Sequence, residues 1–153
     1  MKHLLIALML IGITLPLRAQ EGLHINDIFE GNIVPKQEIQ QKSLMKGSVV
    51  APYKLKVLHT VKFMADSLLQ EKVEALFTKD MKECLSDDND NLELENRDGY
   101  LYYAIVQLTN TRKGMHRYIC YQCRKNADGY SLALAYMEGW ATLIELRRMF
   151  KKK

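Results

Sequence analysis

The chain has 153 residues, 48% hydrophobic and 26% charged, a balance that excludes wholesale disorder and suits one globular domain. Its 22 basic and 18 acidic side chains leave a formal charge of +4, a modest excess that bears on nucleic-acid binding only if it survives processing.

Lys2 and His3 give a short basic start, Leu4 to Leu15 form an apolar run, and Pro16 ends it before Ala19. Basic start, short apolar core and small-residue exit make residues 1–19 an expected secretory signal peptide, cleaved after Ala19. The run covers about a dozen residues against the roughly 20 that span a bilayer, so no transmembrane segment is expected after cleavage. Cleavage leaves residues 20–153 as a single domain. It also removes Lys2 and Arg18, leaving 20 basic against 18 acidic groups. The mature protein is therefore expected to be periplasmic or secreted, with no nucleic-acid partner.

Leu23 to Glu30 places Ile25, Ile28 and Phe29 on one side of a short helix, with Gly31 as its stop. Asn32 to Ser48 is polar and irregular, punctuated by Pro35 and Gly47, with room for a weak edge strand. From Tyr53 to Phe63 the period becomes two, with Tyr53, Leu55, Val57, His59, Val61 and Phe63 facing one way. Asp66 or Ser67 opens a helix running to about Cys84. Ser67 and Gln70 are expected to form a capping box, and Leu69, Val73, Leu76, Phe77 and Met81 an apolar stripe. Ser86 to Asn91 reads as a loop, and Leu92 to Glu95 could add a short strand.

Three strands follow, introduced by Asp98-Gly99, Lys113-Gly114 and Asp128-Gly129. Such pairs mark tight hairpin turns, because glycine accepts a positive φ. Thr142 and Glu145 form a second expected capping box, with Trp140, Leu143, Leu146 and Phe150 along one face of a C-terminal helix. The predicted fold class is α+β: a single domain whose antiparallel sheet of about four strands carries amphipathic helices on one face, in the order α-β-α-β-β-β-α.

Several residues could carry chemistry. Cys120 and Cys123 form a C-x-x-C, but within a strand such residues point to opposite faces about 10 Å apart, too far for a disulfide. His116 shares a face with Cys120 at roughly 13 Å, beyond the reach of one metal ion. Cys84 leaves an odd cysteine count, which argues against a disulfide framework. The segment Asp87 to Asp98 resembles a calcium loop at Asp87, Asn89, Asn91, Glu95 and Asp98. Leu92, however, stands where that loop needs glycine, and the exit is a strand. His59 is expected to be a hydrogen-bonded core residue, with His24 and His116 at the surface.

Arg147, Arg148 and Lys151 to Lys153 suit the C-terminal end of a helix. With Lys54, Lys56 and Lys62, if these share that side, they could also form a patch for anionic cell-envelope polymers or lipid head groups. Tyr100, Tyr102, Tyr103, Tyr118, Tyr121, Tyr130 and Tyr136 fit strand propensity, and as a set could present a ligand platform.

The blocks Gly22-Leu23-His24-Ile25-Asn26-Asp27-Ile28-Phe29-Glu30-Gly31, Tyr53-Lys54-Leu55, Tyr136-Met137-Glu138-Gly139 and Glu145-Leu146-Arg147 resemble an uncharacterised family of small secreted proteins from Bacteroidales-type bacteria, a domain of unknown function. The resemblance implies a Gram-negative envelope or secreted location and an α+β fold, and it supplies no site residues. The leading expectation is an exported, non-enzymatic binding or interaction module, with no catalytic, metal or cofactor residue assigned and a cell-envelope polymer or protein as partner. The alternative is an enzyme or metal-dependent module using Cys120, Cys123 and His116, or the Asp87–Asp98 loop.

Overall fold

The computed structural model describes residues 20, 22–85, 91–112 and 114–150. The expected signal segment 1–19, the Asp87 and Asn89 positions, Lys113 and Lys151 to Lys153 lie outside the described residues. The elements are α1 (Asn26–Phe29), β1 (Ile39–Lys46), β2 (Leu55–Ala65), α2 (Ser67–Cys84), β3 (Leu92–Arg97), β4 (Tyr100–Arg112), β5 (Met115–Asn126), β6 (Gly129–Gly139) and α3 (Leu143–Phe150). The six strands form one antiparallel sheet in the order β1-β2-β6-β5-β4-β3. Among the described residues no helix is long and apolar enough to cross a membrane.

The α+β class holds, but the sheet has two more strands than expected and the element order is α-β-β-α-β-β-β-β-α. The additional strands, β1 and β3, are the two edges. They fall where the sequence left room for a weak edge strand and a short strand, and their side chains are mostly solvent-exposed. Polar, charged residues also suit an edge that must resist further pairing.

The helices are not confined to one face. Val57, Val61 and Phe63 of β2, Val106 and Leu108 of β4, Ile119 and Tyr121 of β5, and Leu132, Leu134 and Tyr136 of β6 pack with α1 and with Val73 and Phe77 of α2. Leu55, Ile105, Tyr118 and Met137 sit in a second cluster with Ala141, Leu143 and Leu146. Adjacent residues such as Tyr118 and Ile119, or Tyr136 and Met137, therefore bury opposite faces of the sheet. The central strands are apolar on both sides, which is why α3 covers the face opposite α1 and α2.

Local expectations fared unevenly. Tyr53 lies in a 3-10 turn (Ala51–Tyr53) and is exposed, because Lys54 adopts φ 57° and the strand begins at Leu55. Asp66 caps α2 by accepting the Leu69 N–H at 2.8 Å. Gln70 forms no capping box and is buried. The Thr142–Glu145 box is present: Thr142 N–H donates to Glu145 Oε2 at 2.8 Å, and Glu145 N–H to Thr142 Oγ1 at 3.3 Å. Trp140 is 56% exposed and precedes α3, its N–H held by the Lys54 carbonyl.

The β5–β6 turn falls on Ala127 and Asp128, since Asn126 pairs with Gly129. Gly129 is instead the first residue of β6, where a Cβ would lie 2.6 Å from the Ala65 carbonyl oxygen.

Candidate functional site

Cys120 pairs with Ala135 and Cys123 with Leu132 across β5 and β6, and the two pack into opposite cores, as expected of strand residues three apart. All three cysteines are free. Burial pushes the thiols of Cys84, Cys120 and Cys123 above their ordinary range. They are thus protonated at neutral pH and weak as nucleophiles.

The histidines are engaged elsewhere. His116 Nδ1 lies 3.2 Å from Gln107 Nε2, and His24 Nε2 lies 2.8 Å from Glu83 Oε2. His59 faces the core, with its ring 4.3 Å from that of Phe29 and its Nδ1 3.0 Å from Gln20 Oε1. Burial, with Lys42 and Lys46 nearby, lowers its pKa to about 4.

The acidic segment does not form a loop over its second half. Leu92 to Arg97 is β3, Glu95 pairs with Arg97 Nε at 2.7 Å, and Asp98 belongs to a two-residue turn. Extended backbone sends alternate side chains to opposite faces, so Leu92 to Asp98 cannot wrap one cation. Among the described residues no group of three His, Cys, Asp or Glu side chains is placed to hold a metal ion. Part of the basic patch is also committed: Lys54 pairs with Glu145, and Arg147 with Glu93 at 2.8 Å.

The tyrosines divide into two sets. Tyr118, Tyr121 and Tyr136 are core residues, with Tyr118 Oη donating to the Ala141 carbonyl at 2.6 Å and Tyr136 Oη to Glu138 at 3.0 Å. Tyr103 is half-buried and its phenol is pushed up to about 12 by desolvation. Tyr100, Tyr102 and Tyr130 instead line two adjoining cavities of about 570 and 560 Å³ at one end of the sheet, a size common to ligand sites.

Local chemistry builds this end. Asp98 and Gly99 take φ 49° and 82°, the positive pair that a two-residue hairpin turn of matching twist requires. The β3–β4 register then jumps from Glu95↔Tyr103 to Asn96↔Leu101, leaving Tyr102 as a bulged residue. The Arg97 guanidinium sits 3.4 Å above the centroid of the Tyr102 ring. Across β5, Tyr100 meets Tyr130 edge-to-face at 5.6 Å.

Arg97, Arg124 and Lys125 line the smaller cavity against one carboxylate, Asp98. The larger one continues along α2, past Glu71, Glu74, Lys79 and Lys82. Glu74 joins that wall to the sheet, its Oε2 accepting from Gln70 Nε2 at 2.6 Å and from the Leu101 N–H at 3.3 Å. Aromatic faces with exposed cations can hold a flat, oxygen-rich, anionic ligand through stacking and charge-assisted hydrogen bonds.

Sequence reasoning missed this convergence, because it weighed the tyrosines as one set and could not see which strand ends meet. It also missed the polar residues on the buried face of α2. Gln70, Val73, Phe77 and Asp80 share one helical stripe and are all buried, so the spacing was available as a signal. Asp80 is fully buried and accepts the backbone N–H groups of His24 and Ile25 at 2.7 and 2.8 Å, while burial raises its pKa.

A family of unknown function, DUF6108, matches residues 12–150 of the chain. No curated protein and no solved structure matches it.

Proposed function

The chain belongs to the DUF6108 family, and we propose that it is an exported, non-enzymatic binding module for an anionic, sugar-based polymer of a Gram-negative cell envelope. Residues 1–19 support export, and the blocks shared with secreted Bacteroidales-type proteins support that location. One observation carries the binding role: Tyr100, Tyr102 and Tyr130 lie with Arg97, Arg124 and Lys125 around two neighbouring cavities that share Asp98, Tyr100 and Lys125.

The chemistry favours this ligand class. Sugar rings present flat C–H faces that pack on tyrosine, and tyrosine offers large rigid area with a polar tip. Uronate or phosphate groups along such a polymer meet guanidinium groups in a geometry that suits bidentate hydrogen bonds. The exposed cations also raise the local concentration of a polyanion. The many polar and charged side chains of this two-cavity trough disfavour an apolar ligand, and the protonated, core-facing thiols offer no nucleophile to turn binding into catalysis.

The test is a nuclear magnetic resonance titration of protein purified from the envelope of a Bacteroidales-type host, using oligogalacturonate as the probe. The expected result is saturable shifts confined to residues around Tyr100, Tyr102, Tyr130 and Arg124. Shifts spread over unrelated surfaces, or none at millimolar probe, would overturn the reading.

A further inference from the structure

We propose that the end of the sheet opposite the tyrosine cavities is a membrane-surface anchor, which docks on a bilayer carrying anionic phospholipid. The anchor shares no residue with the cavities.

Strand β6 separates the two ends. It begins at Gly129, beside Tyr130 of the cavity wall, and ends at Gly139. Its 11 residues, at about 3.3 Å each, put roughly 30 Å between the cavities and Trp140. At the far end Leu55 of β2 pairs with Gly139. The Lys54 carbonyl accepts the N–H groups of both Trp140 and Ala141, at 2.8 and 3.0 Å, and the Lys54 side chain pairs with Glu145 of α3. The residues just before β2 and the first turn of α3 are thereby held side by side.

Exposed apolar side chains concentrate there. Among the described residues five large ones are more than half exposed, and four belong to this end: Val49, Tyr53, Trp140 and Ile144. The fifth, Leu68, lies on α2. Their sequence neighbours Val50, Ala141 and Leu143 fill the second core, so these four are surplus to it and face outward. Single exposed apolar residues are ordinary, but a cluster marks an interaction surface.

Charge identifies what covers it. Residues 46–58 and 139–153 hold eight lysines and arginines against one acidic side chain, Glu145. Lys54 neutralises that carboxylate, and Arg147 is paired with Glu93 of β3. Arg148 is exposed one helical turn beyond Ile144, and the sequence continues after Phe150 with Lys151 to Lys153. A second copy of this chain would bring like charges together, whereas a layer of phosphate head groups is complementary. Tryptophan and tyrosine suit that depth, since each joins an apolar ring to a polar N–H or O–H that stays among head groups and water. Anchored in this way, the protein holds its tyrosine cavities away from the lipid.

Trp140 is the only tryptophan of the chain, so its emission reads this surface alone. The experiment adds vesicles of equimolar phosphatidylglycerol and phosphatidylcholine, with and without bromine on the acyl chains, to the protein isolated from a Bacteroidales-type host. The expected result is a blue-shifted emission that brominated lipid quenches and high salt reverses. Vesicles of phosphatidylcholine alone should bind at least about tenfold more weakly. Ile144→Glu/Arg148→Glu changes two exposed side chains, with the fold checked by thermal melting, and should weaken binding to the mixed vesicles at least about tenfold. An emission that the mixed vesicles leave unshifted would overturn the proposal, as would equal binding to both vesicle types or by both proteins. A tryptophan already blue-shifted without lipid, in a protein that sediments as a dimer, would also overturn it by showing that a second copy covers the surface.

Discussion

The Asp80 carboxylate accepts the backbone N–H of Ile25 at 2.8 Å, across 55 positions of sequence. With the His24 N–H held by the other oxygen at 2.7 Å, one α2 side chain pins the start of α1 against the first core. Asp80→Ala leaves one buried and one part-buried donor unsatisfied at about 1–3 kcal/mol each, so the expected loss of stability is roughly 2–5 kcal/mol. Denaturant unfolding measures it, and a loss below about 1 kcal/mol would show that Asp80 does not anchor α1. Asp80→Asn keeps one acceptor and is expected to fall between wild type and Asp80→Ala.

His59 makes stability depend on pH with a definite sign. Its pKa is lowered from 6.5 to about 4, so between these values the unfolded chain binds more protons than the folded one. Stability therefore rises with pH across that window, being fully present above 6.5 and lost as pH falls toward 4. The contribution is on the order of 3 kcal/mol. Other titrations cancel when wild type is compared with His59→Gln, and the gap between them is expected to widen in favour of wild type from pH 4 to 6.5. A gap independent of pH would show that His59 titrates normally.

Two glycines set the β2–β6 pairing. A Cβ at Gly139 would come within 2.5 Å of the Lys54 carbonyl oxygen, and one at Gly129 within 2.6 Å of the Ala65 carbonyl oxygen. Both obstacles are backbone, and Gly129 also has φ +136°. Gly129→Ala and Gly139→Ala are each expected to cost at least about 1–3 kcal/mol. Gly99→Ala, at a position with open space around it, should cost less, reflecting only its left-handed φ. Equal costs at all three positions, read by thermal melting, would contradict the close approach.

The Thr142–Glu145 box supports the only described helix on the second face of the sheet. Thr142→Ala removes the acceptor for the Glu145 N–H and is expected to cost about 1 kcal/mol. Amide exchange should accelerate in α3 while α2 stays protected. Acceleration in both helices alike would mean that the two faces unfold as one unit.

What could be read in advance follows from where the information lies. The central strands and α2 announce themselves through periodicity, and Asp98-Gly99 through turn chemistry. Thr142 and Glu145 likewise carry a local signature that survived folding. The edge strands β1 and β3 bury little, so they were legible only in part: Leu92 to Glu95 shows a short alternation, whereas Gln40 to Ser43 is uniformly polar. The placement of α3 on the opposite face depends on Tyr118, Ile105 and Met137 being buried behind strands already apolar in front, a tertiary fact. The trough was half legible: the tyrosines were visible as a set, but only the sheet order brings β3, β4, β5 and β6 together at one end beside α2. Gln70 and Asp80 were legible in principle, as polar residues standing on an apolar stripe.

The central claim is that the Tyr100–Tyr102–Tyr130 trough binds a polyanion, and the most direct measurement is its affinity for oligogalacturonate in wild type and in Arg124→Glu/Lys125→Glu. Both side chains are exposed, so the fold should be unaffected. Reversing two cations at the site is expected to weaken binding at least about tenfold and to flatten its salt dependence. Tyr102→Ala should weaken binding while leaving the salt dependence unchanged. Equal affinity and equal salt dependence in wild type and the charge-reversed protein would contradict the account.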